Sequence, residues 1–348
     1  MDSKIFFISE ALSAPFDEGI KNITLSLYRQ FNDKKNILTI TKAQNNTDNL
    51  NVVKINLNKF FLNKQLFSLV KLYSPDVVIY LPFASCTFNS FVRARILKLI
   101  NKRLKVAMIG VQHRRYSFVQ GIVITRLLKP DLLFFLRNSD KDSFLKKYLK
   151  VRILPPAVDT SKFYPVTKKE KEKLRSKYNI SDDKTLVLHV GHIKVDRNIE
   201  CLLNVQKIDN VQVLIVGSTS MGKDSLLKNR LTEAGIQVID ETIPDVSEVY
   251  KMSDIYVFPV IRRTSAIDMP LSVIEALACN LPVITTRFDG LVDFFKEDFG
   301  FRYFDTTEEL ITLIRSIDRV DVHNSKKIEN FTWDRFTNEI INACEELV

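Results

Sequence analysis

Between residues 268 and 286 the sequence DMPLSVIEALACNLPVITT carries a carboxylate, a proline and a short apolar-faced run, in an order suited to holding an anion beside a diol. Pro270 suits the first helical position, because its missing N–H would have had no intrahelical partner there. Val273, Ile274, Leu277 and Ala278 recur at the three-and-four spacing of a buried helical face, Asn280 stands where a left-handed C-cap is wanted, and residues 282–286 resume as a strand. In an open parallel sheet, ligands bind outside the carboxyl ends of the strands, where helix N-termini present unpaired N–H groups to anions. A phosphate therefore fits at the amides of Leu271, Ser272 and Val273. Glu275, one turn further in, is placed to accept hydrogen bonds from vicinal hydroxyls such as those of a ribose, and Asp268 supplies a second carboxylate in the preceding loop. The same residues also describe an exposed helical glutamate on an ordinary strand, loop and helix.

A second group lies upstream. The β-rich run 185–190 leads into Gly191-His192-Ile193-Lys194-Val195-Asp196-Arg197-Asn198, which the pattern takes into a helix. Cations such as Lys194 and Arg197 at a helix N-terminus after a strand make a diphosphate clamp, since guanidinium and helix dipole act on the same anion. Gly191 would let the backbone come close to that anion, and Gly19, just before an expected helix 20–31, would do the same in the first half. His113 follows the strand 105–111 at a carboxyl end, with Arg114 and Arg115 beside it to attract an anionic acceptor; a lone histidine is also commonly structural. The run GSTSMGK at 217–223 nearly completes a phosphate-binding P-loop, but Asp224 stands where Ser or Thr must ligate magnesium, and its carboxylate would repel a triphosphate.

The stretch 268–286 resembles the donor-site signature of retaining glycosyltransferases of family 4, in which two glutamates separated by seven residues precede a small-residue helix and a P-V-I strand. Glu275 matches the second glutamate. The first falls on Ile267, with Asp268 the nearest carboxylate. The loop 191–198 resembles the family's G-R-x-x-x-x-K-G, with His192 at the arginine position, Arg197 at the lysine position and Lys194 a substitute for the former. The loop PFDEGIKNITLSL around Gly19 is similar to the family's first glycine loop, without its second glycine. His113, and Arg137 with Asn138 and Ser139, fall in loops where the family has a histidine and a serine. ILPPAVDTSKF at 153–163 resembles the interdomain passage P-x-G-V-D-x-x-x-F, with Ala157 in place of glycine, and FTWDRFTNEI resembles the closing F-S-W helix that crosses back onto the first domain.

The resemblance implies an α/β protein of GT-B fold, with two doubly wound Rossmann-like domains facing across a cleft. The expected divisions are an acceptor-side domain at 1–163 joined by a helix at 333–348, and a donor domain at 164–332. It implies transfer of a sugar from a UDP- or GDP-linked donor to a hydroxyl acceptor, a glycan or lipid-linked molecule, with retention of configuration. His113 would contact donor sugar or acceptor, and Arg197, Lys194 and the 271–273 amides would stabilise the leaving diphosphate, so no metal and no cofactor is expected. A non-catalytic binder of nucleotide sugars or glycans built on the same fold is the alternative allowed by Ile267 and His192.

The elements that must position these residues follow from alternation of β-rich and helical patterns. Strands are expected at 4–9, 36–41, 52–55, 77–81, 105–111 and 132–136, then at 185–190, 211–216, 238–240, 255–258 and 281–285, which is the pattern of parallel sheets covered by helices. The polar segment 164–184 has a linker's composition, with a helix at 169–178. Cys86, Cys201, Cys279 and Cys344 are widely spaced and adjoin apolar residues, as buried free thiols do.

Charge is divided unevenly: residues 1–160 hold 26 Lys and Arg against 11 Asp and Glu, whereas residues 161–348 hold 25 against 30. The basic first half is suited to an anionic membrane or polyanion, or to plain solvation. One segment, beginning at Asn89 and ending at Lys105, is basic on one side (Arg93, Arg95, Lys98, Lys102, Arg103) and apolar on the other (Phe91, Ile96, Leu97, Ile100, Leu104), so it would lie on a membrane or pack as a crossover helix. A nucleic-acid binder is the remaining class, but aromatic residues do not interleave with the charge and no nucleic-acid motif is present. The start MDSKIFFISEAL lacks a signal peptide's basic and apolar regions, so a cytoplasmic protein is expected, peripheral to the membrane where it meets a lipid-linked acceptor.

Overall fold

The computed structural model describes residues 3–47, 50–83, 85–112, 114–137, 143–155, 157–219, 224–317 and 322–348. It divides into two units, one made of Met1–Pro155 with Trp333–Val348 and the other of Pro156–Thr332.

The first unit holds β1 (Ile5–Ser9), β2 (Ile37–Lys42), β3 (Val53–Ile55), β4 (Val77–Leu81), β5 (Lys105–Gly110), β6 (Leu132–Phe135) and β7 (Val151–Ile153), all parallel, in the order β3-β2-β1-β4-β5-β6-β7. Every residue of β1 and β4 is buried, because helices cover both faces of a parallel sheet and leave no side for polar residues. Ile5 stands opposite both Ile37 and Val77, so β1 is central and the strand order reverses between β1 and β4.

Helix Gly19–Asn32 buries Ile20, Ile23, Leu27 and Phe31 at three-and-four spacing; Gly19 is its first residue, where the sequence placed it just outside, and Glu18 is the N-cap. Helix Trp333–Glu345 packs on it and buries Phe336, Ile340 and Ala343, and Glu346 beyond its end pairs with Arg152.

The segment from Asn89 to Lys105 is not one amphipathic helix. Helix Phe88–Ile100, capped by the Thr87 hydroxyl on the Ser90 amide, ends before an extended Asn101, and Lys105 begins β5. Phe91, Leu97 and Leu104 are buried in the unit's core, so the apolar side faces protein instead of lipid. Two of its cations are also engaged: Arg93 lies 2.9 Å from Glu10 and Lys98 lies 2.8 Å from Asp131.

In the second unit β8 (Thr185–Val190), β9 (Val211–Val216), β10 (Gln237–Ile239), β11 (Ile255–Phe258), β12 (Val283–Thr285) and β13 (Phe301–Tyr303) form a parallel sheet in the order β10-β9-β8-β11-β12-β13. Its reversal lies between β8 and β11, over a core that includes Val187, Val213, Val257 and Ile284. Residues 157–163, which the sequence assigned to the first domain, belong here: Val158 bridges Thr332 and the Phe163 ring meets Tyr250 edge-on at 5.5 Å. The polar stretch read as a linker is folded onto this unit as well. Its helix Lys168–Lys177 opens with a Thr167/Glu170 capping box, and Arg175 is buried against Asp254 at 2.5 Å. All four cysteines are buried free thiols.

Candidate functional site

Two loops leave the carboxyl ends of β8 and β11 side by side, where a doubly wound sheet places its ligand. They are tied together: the Asn198 side-chain amide donates to the Pro259 carbonyl at 3.1 Å, and the Ser265 hydroxyl donates to Asp196 at 2.7 Å.

After β8 the chain forms a 3-10 turn, Val195–Arg197, and then Asn198 adopts a left-handed conformation at φ 57°. The helix expected from this point is a second 3-10 turn followed by the four-residue helix Leu202–Val205. The left-handed Asn198 interrupts helical hydrogen bonding, so Arg197 does not sit at a helix N-terminus. It turns inward, 8% exposed, and its guanidinium lies over Gly191: a Cβ there would stand 2.9 Å from Arg197 Nη1. Lys194 stands at the head of the same turn, partly buried. Among the described residues no carboxylate forms a salt bridge with Arg197, and burial pulls its pKa down. A buried guanidinium with no ion-pair partner among the described residues, on which Asp196 acts only at longer range, favours an anion that arrives from outside.

His189 lies beneath it on β8, fully buried, with Nδ1 donating to the Val257 carbonyl at 3.0 Å. Burial drives its pKa down to about 4, so the ring is neutral at ordinary pH, and Nε2 has no hydrogen-bond partner among the described residues. Sequence reading passed over this residue, because a histidine inside an apolar strand carries no spacing signal.

The second loop ends in helix Leu271–Ala278. Pro270 is its N-cap and not its first residue, and the Val273 amide, expected to face a phosphate, donates to the Pro270 carbonyl at 3.2 Å. Leu271 and Ser272 keep first-turn amides of the kind a helix leaves without internal acceptors. Asn280 closes the helix in the left-handed region at φ 61°, as expected.

Glu275 is not the exposed helical glutamate of the plainer reading: it is partly buried, and its Oε2 accepts a 2.7 Å hydrogen bond from the Tyr250 hydroxyl. Burial pushes its pKa up to about 7, against the opposing pull of Tyr250 and Lys162. Tyr250 stacks on Tyr256 at 5.8 Å, and burial pushes the Tyr256 phenol up while the Ser272 hydroxyl pulls it down. Asp268 is 1% exposed, and its carbonyl accepts from the Gly290 amide at 3.0 Å.

The structure thus brings Gly191, Lys194, Arg197, Leu271, Ser272 and Glu275 to two adjoining loops of one unit. Gly19 belongs to the first unit, where Glu10, on the loop after β1, is held by Arg93 and by the Tyr80 hydroxyl at 3.0 Å. His113, Asn138 and Ser139 lie outside the described residues, as do 220–223 of the near P-loop. The residue that broke the P-loop pattern acts locally, since Asp224 accepts the Leu227 amide at 3.0 Å and caps helix Ser225–Glu233. Among the described residues, no group of three or more His, Cys, Asp or Glu is placed to hold a metal ion.

Fold and site together define a GT-B protein whose second unit sets the buried Arg197 guanidinium and the Glu275 carboxylate on adjoining elements. A family model described as "Glycosyl transferases group 1" matches residues 170–323. The chain is 26% identical over 209 residues to the sulfoquinovosyl transferase SQD2 of Arabidopsis thaliana, covering 56% of this chain and 39% of that protein. It is 24% identical over 233 residues to an Escherichia coli UDP-Gal:alpha-D-GlcNAc-diphosphoundecaprenol alpha-1,3-galactosyltransferase, covering 61% and 56%. Among solved structures, Anabaena Alr3699/HepE in complex with UDP matches with a TM-score of 0.78 at 13% identity, over 99% of this chain and 100% of that one. The chain therefore spans 39% to 56% of the length of these two curated relatives, and the structural match speaks for the fold. The family-model match lies within the second unit, and the solved structure matches the fold of the whole chain.

Proposed function

We propose that the chain moves a sugar from a UDP- or GDP-linked donor to a hydroxyl acceptor, with retention of configuration and without a metal. The observation that carries this reading is Arg197, a buried guanidinium over Gly191 with no carboxylate paired to it among the described residues. As the bond from the anomeric carbon to the diphosphate breaks, charge gathers on the departing oxygen. Arg197, Lys194 and the Leu271 and Ser272 amides stabilise it, and Glu275 accepts from the ribose hydroxyls. Asp268, beside Ile267, is the carboxylate assigned here to the donor sugar, and His113 is assigned to the sugar or the acceptor by the family resemblance. The name of the E. coli relative, with a diphosphoundecaprenol acceptor, supports a lipid-linked acceptor; a cytoplasmic enzyme peripheral to the membrane would meet such an acceptor.

A thermal-shift panel of UDP, GDP and their sugar conjugates tests the reading. A ligand present at about 100 times its Kd adds about 2.7 kcal/mol of stability. A clear rise with one nucleoside diphosphate, lost in Arg197→Ala, is expected. No rise with any of them would overturn it.

A further inference from the structure

We propose that the first unit docks on an anionic lipid bilayer through the outward side of helix Phe118–Arg126. The inference builds on the reading of a membrane-borne acceptor, but its evidence lies in the first unit, apart from the nucleotide site.

This helix has one side in the protein and one in water. Gly121, Ile124 and Thr125 are buried, whereas Phe118 and Val119 at its start are 76% and 68% exposed, and Leu127 just past its end is 64% exposed. A Ser117/Gln120 capping box fixes the first turn, so Phe118 and Val119 are presented by an ordered backbone. Val119 and Arg126 are two turns apart on the same side. Arg115, Arg126 and Lys129 are exposed around these apolar groups.

The charge of the surrounding chain is one-sided. Residues 77–130 contain ten Lys and Arg and not a single Asp or Glu. Arg93 and Lys98 are paired with Glu10 and Asp131 from outside that stretch. Lys102 and Arg103 are exposed at the end of the neighbouring helix Phe88–Ile100, which packs beside Phe118–Arg126. Among the described residues, exposed apolar side chains with exposed cations close in sequence, in a stretch 77–130 that holds no acid, match an interface in which lipid phosphates lie just above the acyl boundary. Nucleic acid would use the charge but leave Val119 and Leu127 without a role.

Co-sedimentation of the full chain with phosphatidylcholine vesicles, with and without phosphatidylglycerol, tests this at low and physiological salt. Capture by the anionic vesicles alone is expected, weakened by salt because the Debye length shrinks to about 8 Å. Phe118→Ser with Val119→Ser should lower vesicle affinity on the order of tenfold. Arg126→Glu with Lys129→Glu should lower it on the order of twentyfold or more. All four side chains are exposed, so melting temperature and the UDP-induced thermal shift should stay as in the parent chain.

Absence of capture overturns the proposal, and so does capture that ignores either pair. Binding to RNA that ignores Phe118 and Val119, without vesicle capture, would assign the face to nucleic acid. Absence of a thermal shift with every nucleoside diphosphate and sugar conjugate in the parent chain, with vesicle capture intact, would remove the transfer reading and leave the docking surface standing.

Discussion

The Tyr250 hydroxyl donates to Glu275 Oε2 at 2.7 Å, and this bond joins two elements that no sequence pattern pairs, the short helix Ser247–Lys251 and the helix Leu271–Ala278. Tyr250 is fully buried, between Phe163 at 5.5 Å and Tyr256 at 5.8 Å, so its hydroxyl is held in place and holds the carboxylate in turn. One Glu275 oxygen is thereby committed and the other is left to face a ligand hydroxyl. Tyr250→Phe removes a bond that favours the ionised carboxylate. Glu275, already pushed up to about 7 by burial, should then titrate higher still. Nucleotide affinity measured by calorimetry should fall several-fold at pH 7, with the acid limb of its pH profile moved upward. An unmoved profile would make Tyr250 a packing residue only.

Glu275 also carries a cost in the unliganded protein. Its folded pKa of about 7 lies above the ordinary 4.5, so the folded state holds this proton after the unfolded chain has released it. Stability is therefore unaffected by the group below about pH 4.5 and falls as pH rises to about 7, by on the order of 3 kcal/mol. Glu275→Gln keeps the shape and an acceptor for Tyr250 without the charge. It should melt higher than the parent chain at pH 8 and level with it at pH 4, while nucleotide binding and transfer drop by on the order of 10²-fold. Equal melting curves at pH 8 would show the carboxylate to be better solvated than its burial implies.

How far the site was legible follows from the same residues. Alternation of strands and helices, and the P-V-I strand after Asn280, could be read because apolar periodicity and cap residues are local. The three-residue strands β7 and β13 were missed, since an arginine at the centre of Val151–Ile153 and of Phe301–Tyr303 breaks the apolar run. Glu275 and Arg197 could be found by type and offset. Tyr250 and His189 could not, because their roles arise from contacts across the sheet and between helices. The segment from Asn89 to Lys105 left membrane contact and packing both open, because amphipathicity records two unlike sides without saying which medium the apolar one meets; the packed alternative is the one the core shows.

Gly191 and Arg197 give a sharper test of the anion site than either alone. A Cβ at residue 191 would stand 2.9 Å from Arg197 Nη1 and 3.1 Å from His189 Nε2. The first contact is with the movable end of a side chain, so Gly191→Ala should fold and displace the guanidinium. Transfer should fall by about tenfold or more in Gly191→Ala and on the order of 10² to 10³-fold in Arg197→Ala, since a small misplacement costs less than removal of the charge. Melting temperature should change little in Gly191→Ala. If that variant were fully active, the Arg197 guanidinium would not need to lie over residue 191.

Arg175 and Asp254 should decide how the second unit responds to acid. Asp254 receives Arg175 at 2.5 Å, Lys171 at 2.6 Å and the Leu186 amide at 2.7 Å, while Arg175 also donates to the Met252 carbonyl at 3.0 Å. Burial alone would raise the Asp254 pKa, but Lys171, the Leu186 amide and Arg175 together bring it below the ordinary 3.8. The stability this adds is present above the unfolded value and is lost as pH falls through the lower folded one. Asp254→Ala leaves the buried Arg175 guanidinium without its carboxylate and should cost about 3–5 kcal/mol at pH 7, read from urea unfolding. The gap to the parent chain should shrink as pH falls below 3.8, where the parent loses the same charge. A loss within about 1 kcal/mol, the size expected of an exposed ion pair, would show that water reaches this pair in solution.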